Sequence, residues 1–217
     1  LADEVSELAK DLIIENDIII IEGWTNLGKT IQNLYPHKKI ILLLRTLSKG
    51  AMEEKRLPLL RHFNQIWVMT RDMQNILNKQ YQVQHPNLEL PPTYLLRSGV
   101  NPEIFNIDAS NERQWGKITY VGAITKLKGV DILVQAFKNI APKYPEMELH
   151  LFGDINIYGT KNSFDETILE HDQIFPHGIS THEEIAKHLQ TCHFSVLPTT
   201  IYETWGKSAA QARSCGA

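Results

Sequence analysis

Cysteine, long apolar runs and an excess of one charge sign are all scarce in this chain of 217 residues. Cys192 and Cys215 are the only cysteines, too few for a disulfide scaffold and suited to a reducing compartment. The longest aliphatic runs, IIII at 18–21 and IILLL at 40–44, have the length of buried strands rather than of a membrane span, and nothing resembles a signal peptide. A cytoplasmic protein is therefore expected. A formal net charge of -3 and an isoelectric point near 6.3 leave no global footprint for nucleic acid. The nine histidines show neither H-E-x-x-H nor Cys-pair spacing, so no metal and no cofactor is expected. No Asp-x-Asp triplet occurs either, which argues against a nucleotide diphosphate held through a carboxylate-bound metal.

What is present concentrates in residues 198–216, PTTIYETWGKSAAQARSCG. The pattern predicts a strand ending at Pro198, a loop delivering Glu203, and an alanine-rich helix opened by Gly206. A helix start leaves backbone N–H groups without partners and points a positive dipole end outward, so such a loop can hold an anion such as a diphosphate. A carboxylate beside an anion pocket needs a hydrogen-bonding partner, because two negative charges would otherwise repel. Glu203 is placed to accept hydrogen bonds from a polyhydroxylated group carried on that diphosphate. The combination points to a nucleotide-sugar site.

The preceding hundred residues fit the same architecture. KITYVG (117–122) reads as a strand, and the following segment places Val130, Leu133, Phe137 and Ile140 at helical spacing, with Pro145 just beyond. ELHLFGD is a second strand stopping at Gly153. Thr181 and Glu184 make a T-x-x-E capping box before IAKHL, and HFSVLP (193–198) is the next strand. Strands alternating with helices of this length predict an α/β fold with a parallel sheet and a ligand at the carboxyl ends of its strands.

The order strand-G-x(5)-KG-helix, strand-FG, HG loop, strand-P, then E-x-x-G-helix-A-x-x-x-G resembles the donor domain of the retaining GT-B glycosyltransferases, the E-x7-E group. The resemblance covers residues 117–217 well. SGVNPEIF (98–105) is similar to the family's segment leading from its first domain to its second, and residues 11–97 match as a coarse pattern of strands and helices. It implies two Rossmann-like domains with parallel sheets: residues 1–100 as part of an acceptor-side domain, 101–116 as linker, and 117–217 as most of the donor domain. It also implies a chain truncated at both ends, which should leave apolar sheet edge exposed. The implied activity is transfer of a hexosyl group from a nucleotide-diphosphate sugar to a hydroxyl acceptor (glycan, lipid or protein) with retained configuration, in glycan or glycoconjugate biosynthesis and without a catalytic metal.

Carried onto this sequence, the resemblance makes Lys128 the donor-diphosphate lysine and Glu203 the sugar-contacting glutamate, the two residues expected to carry catalysis. Gly122, Gly178, Thr204, Trp205, Gly206 and Lys207 match the glycine-rich turns and the loop that reach sugar and phosphates. Gln211 stands where the family has the second glutamate, and its amide oxygen can still accept from a ribose hydroxyl. Ala123 stands where the family has an arginine, with Lys126 or Lys207 as candidates for the missing charge. Arg45 stands near the place of a first-domain histidine. These departures open an alternative: a binding or scaffold protein that keeps the fold without turnover. Plainer roles also exist, as an exposed helix-start lysine for Lys128, a dipole-favoured acid for Glu203 and core packing for Trp205.

A rival motif lies near the N-terminus. Gly23, Gly28, Lys29 and Thr30 have the G-x(4)-G-K-T spacing of a phosphate-binding P-loop after an apolar strand, which on pattern alone would suggest an NTPase. Against it, few residues separate Thr30 from Pro36, and the strand KIILLL ends in Arg45 rather than in an acid able to hold magnesium. Finally, Lys38, Lys39, Arg45, Lys49, Lys55, Arg56 and Arg61 face only Glu53 and Glu54 within 37–62, a candidate for peripheral contact with anionic lipid or an anionic acceptor.

Overall fold

A computed structural model describes residues 1–47, 56–155 and 164–217. The chain divides into two compact units, Leu1–Ser98 and Gly99–Ala217, each built on a four-stranded sheet.

In the first unit, β1 (Ile18–Glu22), β2 (Lys39–Leu44), β3 (Gln65–Val68) and β4 (Thr93–Leu95) lie side by side in chain order, every pair parallel. Parallel neighbours require crossovers, supplied here by α3 (Thr25–Leu34) between β1 and β2 and α4 (Arg71–Gln84) between β3 and β4, after α1 (Ala2–Leu8) and α2 (Lys10–Glu15). Strand β2 is covered on both faces: Ile40, Ile41, Leu42 and Leu44 are buried, as an aliphatic run in an interior parallel strand should be. Thr70 caps α4 by accepting from the Met73 amide at 3.2 Å, and the helix buries Met73, Leu77 and Tyr81, one stripe at four-residue spacing. Strand β1 forms an edge, where Ile18 and Ile20 stay half exposed beside an apolar cavity of about 450 Å3.

The basic stretch is less uniform than its sequence suggests. Lys38 is buried and its Nζ donates to the Ile14 carbonyl at 2.8 Å, while Arg45 pairs with Glu22 at 3.4 Å. Lys39, Arg56 and Arg61 are exposed, and Lys49, Lys55, Glu53 and Glu54 lie outside the described residues.

The second unit is ordered β7-β6-β5-β8, again all parallel, from β5 (Gln114–Val121), β6 (Glu148–Phe152), β7 (Ile174–Gly178) and β8 (Cys192–Ser195). Its helices are α5 (Val130–Ile140), α6 (His182–Thr191) and α7 (Lys207–Ser214). One core layer packs Ile118, Tyr120, Leu149 and Leu151 of the sheet against Val130, Val134 and Phe137 of α5. The other gathers Phe105 and Phe152 with Ile185 and Leu189 of α6, Ala212 of α7 and Cys215 just after it. Phe105 therefore anchors residues 101–116 to this unit. Arg113 adds a tie, its guanidinium donating to the carbonyls of Cys192 and Cys215 at 2.6 and 2.7 Å.

Three local expectations are refined. The buried stripe of α5 is Val130, Val134 and Phe137, whereas Ile140 is exposed at the last turn, where a short 3-10 turn (Ala141–Lys143) carries the chain away. The HG pair, expected in a loop, closes strand β7, and Pro176 is tolerated there because β7 is a sheet edge that need not donate every rung. Strand β8 ends at Ser195 rather than Pro198. The capping box forms as expected, with Thr181 N–H donating to Glu184 Oε2 at 2.8 Å and Glu184 N–H to Thr181 Oγ1 at 3.2 Å.

Candidate functional site

The second unit carries a cavity of about 280 Å3 at the carboxyl end of β5 and the start of α7, lined by Tyr120, Val121, Gly122, Lys128, Leu197, Glu203, Gly206, Lys207, Ser208 and Gln211. A second cavity of about 330 Å3 shares Val121 and Gly122 and extends past Ala123, Gly153 and Asp154 to Ile179 and Ser180 beyond β7. Both open where strand β5 ends, and the second also where β6 ends, the place an open parallel sheet offers to a ligand.

Backbone packing positions the charged groups. Thr125 caps the short turn Lys126–Lys128 by accepting from the Lys128 amide at 3.2 Å. Gly129 follows with φ +68, and a Cβ there would overlap the Pro198 carbonyl, so only glycine lets this turn meet the segment after β8. Thr200 completes the junction, its amide and hydroxyl both donating to the Leu127 carbonyl at 3.2 and 3.0 Å. As a result Lys128 and Glu203, 75 residues apart, meet: Nζ donates to Oε2 at 2.6 Å, with each side chain 27% exposed. A charge-assisted hydrogen bond of this kind is shorter and stronger than a neutral one. Beneath the pair, Tyr120 donates its hydroxyl to the Ala123 carbonyl at 2.7 Å. Burial, with the Glu203 charge adding to it, pushes the Tyr120 phenol far above its ordinary range, so it remains a neutral donor.

On the other wall, Gly206 is buried at φ +64 and serves as N-cap of α7. The first amides of an α-helix lack intrahelical acceptors, and those of Lys207 and Ser208 belong to cavity-lining residues. Gln211, one turn along the same helix, is buried and lines the cavity as well. The arrangement thus offers an anion a helix start and two lysines, and offers a hydroxyl-rich group one carboxylate and one amide.

Of the residues singled out from sequence, Gly122, Lys128, Glu203, Gly206, Lys207 and Gln211 line one cavity. Gly178 does not: it closes β7 at φ +71, its carbonyl accepting from Gly153 N–H at 2.9 Å, next to Ile179 of the second cavity. Thr204 and Trp205 are half-buried outside the first cavity's lining, and the Trp205 indole N–H is shielded without an acceptor among the described residues. Of the two lysines considered for the charge missing at Ala123, Lys207 lines the cavity and Lys126 does not. Tyr120 and Ser208 were not anticipated. Tyr120 falls in a strand that reads as pure core, and only Ser208's place two residues after Gly206 could have signalled it.

The rival P-loop reading is corrected by the structure. A P-loop needs an irregular backbone before its lysine, whose amides cradle phosphate. Here helix α3 begins at Thr25, so Gly28, Lys29 and Thr30 already lie within it. A Cβ on Gly28 would overlap the Phe63 ring, so this glycine serves helix packing, and Thr30 donates its hydroxyl to Asp3 at 3.2 Å.

Residues 101–217 match the sequence family described as glycosyl transferases group 1. An uncharacterized glycosyltransferase of Methanocaldococcus jannaschii is 30% identical over 122 residues, which span 56% of this chain and 31% of that protein. Among solved structures, the pneumococcal O-GlcNAc transferase GtfA in complex with UDP and GlcNAc superposes with a TM-score of 0.73 at 15% identity, covering 98% of this chain and 43% of that one. Sucrose-phosphate synthase from Thermosynechococcus elongatus gives 0.71 at 18% identity, covering 100% and 58%. These likenesses show the fold, GT-B with two Rossmann-like halves. The chain spans less than two thirds of the length of each of these relatives.

Proposed function

The chain belongs to the family of glycosyl transferases group 1, and from that premise we propose that the cavity between Lys128 and α7 receives the nucleotide-diphosphate end of a sugar donor. The observation that carries this reading is the Lys128–Glu203 pair held at 2.6 Å on the wall of a cavity that a helix start completes. The diphosphate takes Lys128 and the first amides of α7, with Lys207 supplying the charge that Ala123 lacks. Glu203, released from Lys128, accepts hydrogen bonds from sugar hydroxyls, and Gln211 accepts one from the ribose. Gly122 and Gly178 keep the strand ends low enough for the ligand to approach, and the backbone of Thr204 and Trp205 borders the sugar.

In the proposed reaction of the whole protein, an acceptor hydroxyl attacks the anomeric carbon on the face from which the diphosphate leaves and passes its proton to the departing phosphate oxygen, so configuration is retained and no protein nucleophile is required. Negative charge grows on the departing phosphate oxygen, and donors already aimed at it, Lys128 and the α7 amides, favour the transition state over the ground state. A hexose is the proposed group transferred, a hydroxyl on a glycan, lipid or protein the proposed acceptor, and biosynthesis of a glycoconjugate the proposed setting. No helix among the described residues is long and apolar enough to cross a membrane. The exposed Lys39, Arg56 and Arg61 support, as part of the proposal, contact with an anionic acceptor or lipid surface.

The test is transfer by the longer protein from UDP-, GDP- and ADP-sugars, comparing wild type with Lys128→Ala and Glu203→Ala. A loss of at least about 100-fold in kcat/KM in both variants is expected; unchanged transfer in either would falsify the assignment. A second reading, a fold retained for binding without turnover, is favoured by Ala123 and by the neutral, buried Gln211. Tight donor binding with neither transfer nor hydrolysis would select it.

A further inference from the structure

A cluster of imidazoles lies apart from the donor cavity. His150 on β6, His177 on β7 and His188 on α6 bring one ring nitrogen each to within 4.8 Å of one another. Each element contributes for a local reason. Glu148, His150 and Phe152 alternate onto the α6 face of β6, while Leu149 and Leu151 face α5. The pairing of β6 with β7 shifts register between Leu151 and Phe152, so that Phe152 pairs with Gly178 and His177 is the extra residue of a bulge. His177 then stacks on the Phe152 ring, with centroids 4.3 Å apart and planes within 4°. His188 projects from α6 toward both rings.

The nitrogens converge in a way that aromatic packing does not require. His150 Nδ1 and His177 Nε2 are 2.9 Å apart. The other ring nitrogen of His150, Nε2, meets Glu148 Oε2 at 2.9 Å, which keeps the proton on Nε2 and leaves Nδ1 with its lone pair toward the cluster. A ligating histidine backed by a carboxylate is the usual arrangement around protein-bound zinc. His188 Nδ1 is buried and has no hydrogen-bond partner among the described residues, an unsatisfied polar atom that a metal ion would satisfy.

We propose that His150, His177 and His188 form a binding site for a divalent transition-metal ion of the zinc class, with Glu148 as the carboxylate behind His150 and water in the fourth position. Imidazole nitrogens select zinc, nickel or copper over magnesium and calcium, which prefer oxygen ligands. Zinc–nitrogen bonds of about 2.0–2.1 Å set tetrahedral ligands about 3.4 Å apart, so His150 and His177 separate slightly while His188 closes in. His177 is exposed, giving the ion an entry path and room for water. The opposing charge is Lys117, whose ammonium is held by Thr191 Oγ1 at 2.9 Å.

The ion braces edge strand β7 against β6 and α6. Because β7 ends in Gly178, beside Ile179 and Ser180 of the second cavity, occupancy stiffens that border without taking part in sugar transfer. The experiment strips the chain with EDTA and titrates it with ZnCl2, CoCl2 and, as control, MgCl2, following bound stoichiometry, unfolding midpoint and the visible absorption of cobalt(II). The variants are His177→Ala, His188→Gln, Glu148→Gln and the distant His37→Ala. We expect one zinc per chain, a raised midpoint and a cobalt spectrum of nitrogen-rich low coordination, with no response to magnesium. Uptake should be lost in His177→Ala and His188→Gln, weakened about 10- to 100-fold in Glu148→Gln, and kept in His37→Ala. Wild-type protein that takes up no stoichiometric zinc overturns the proposal, as does uptake that persists in folded His177→Ala, whose exposed position makes that variant the safest to fold.

Discussion

Gly23 and Gly206 make an instructive pair. Each follows a parallel strand, each has a left-handed backbone (φ +67 and +64), and each precedes a helix, one in either unit. On motif spacing alone Gly23 has the more familiar phosphate-binding pattern, because a G-K-T follows at P-loop spacing. The structure sides with Gly206. Behind Gly23, Gly28 is consumed by packing on Phe63, and Lys29 is exposed within the helix. Behind Gly206 lie a cavity, a buried Gln211 and a lysine–glutamate pair assembled from a distant turn. A strand–glycine–helix unit is therefore a common device for leaving a sheet. What makes one a site is the chain that packs around it.

The largest expected effect breaks the better site through its scaffold. Gly129→Ala must adopt a left-handed backbone and push the Pro198 carbonyl aside, so we expect a loss of roughly 3 kcal/mol in urea unfolding, together with loss of nucleotide binding. Gly28→Ala, its counterpart in the first unit, should lose only about 1 kcal/mol, because gained helix propensity offsets part of the clash with Phe63, and should leave binding intact. Next in size is the ligand contrast. Lys128→Ala should weaken diphosphate affinity at least about tenfold, the worth of one charged hydrogen bond, whereas Lys29→Ala should not change it; titration calorimetry reads both.

A smaller effect concerns pH. The Tyr120 phenol has a raised pKa in the folded state, so the stability it contributes is fully present below the unfolded tyrosine value of about 10 and is lost as pH rises from there through the folded value. Unfolding free energies measured from about pH 8 to about pH 11 should fall more steeply in wild type than in Tyr120→Phe. The smallest is Gln211→Glu, which should change nucleoside-diphosphate affinity by about threefold, less than one full charged contact, while leaving affinity for pyrophosphate alone unaltered.

Much of the second unit was legible because its signals are local. Val130 and Phe137 advertise a helix by spacing, Thr181 and Glu184 announce a helix start through hydrogen bonds that span three residues, and Gly206 marks the next one. The β7 strand was hidden because Pro176 argues against a strand unless one knows that the strand lies at the edge. The Lys128–Glu203 contact was hidden because it depends on a carbonyl, that of Pro198, meeting a glycine with no side chain. The histidine cluster was hidden for a related reason: its ligands come from three elements, and one owes its place to a bulge. Lys38 misled in the other direction, a lysine counted as surface charge that is in fact buried and donates to the Ile14 carbonyl.

The most direct test of the contrast between the two glycine-led helices is the thermal unfolding midpoint of this chain in the presence of UDP, GDP, ADP and their sugar conjugates, with Mg-ATP alongside, for wild type, Lys128→Ala and Lys29→Ala. A ligand that binds only the folded state raises the midpoint. A rise with one of the diphosphates that disappears in Lys128→Ala and survives in Lys29→Ala is the predicted result. A rise with Mg-ATP alone, abolished by Lys29→Ala, would contradict it.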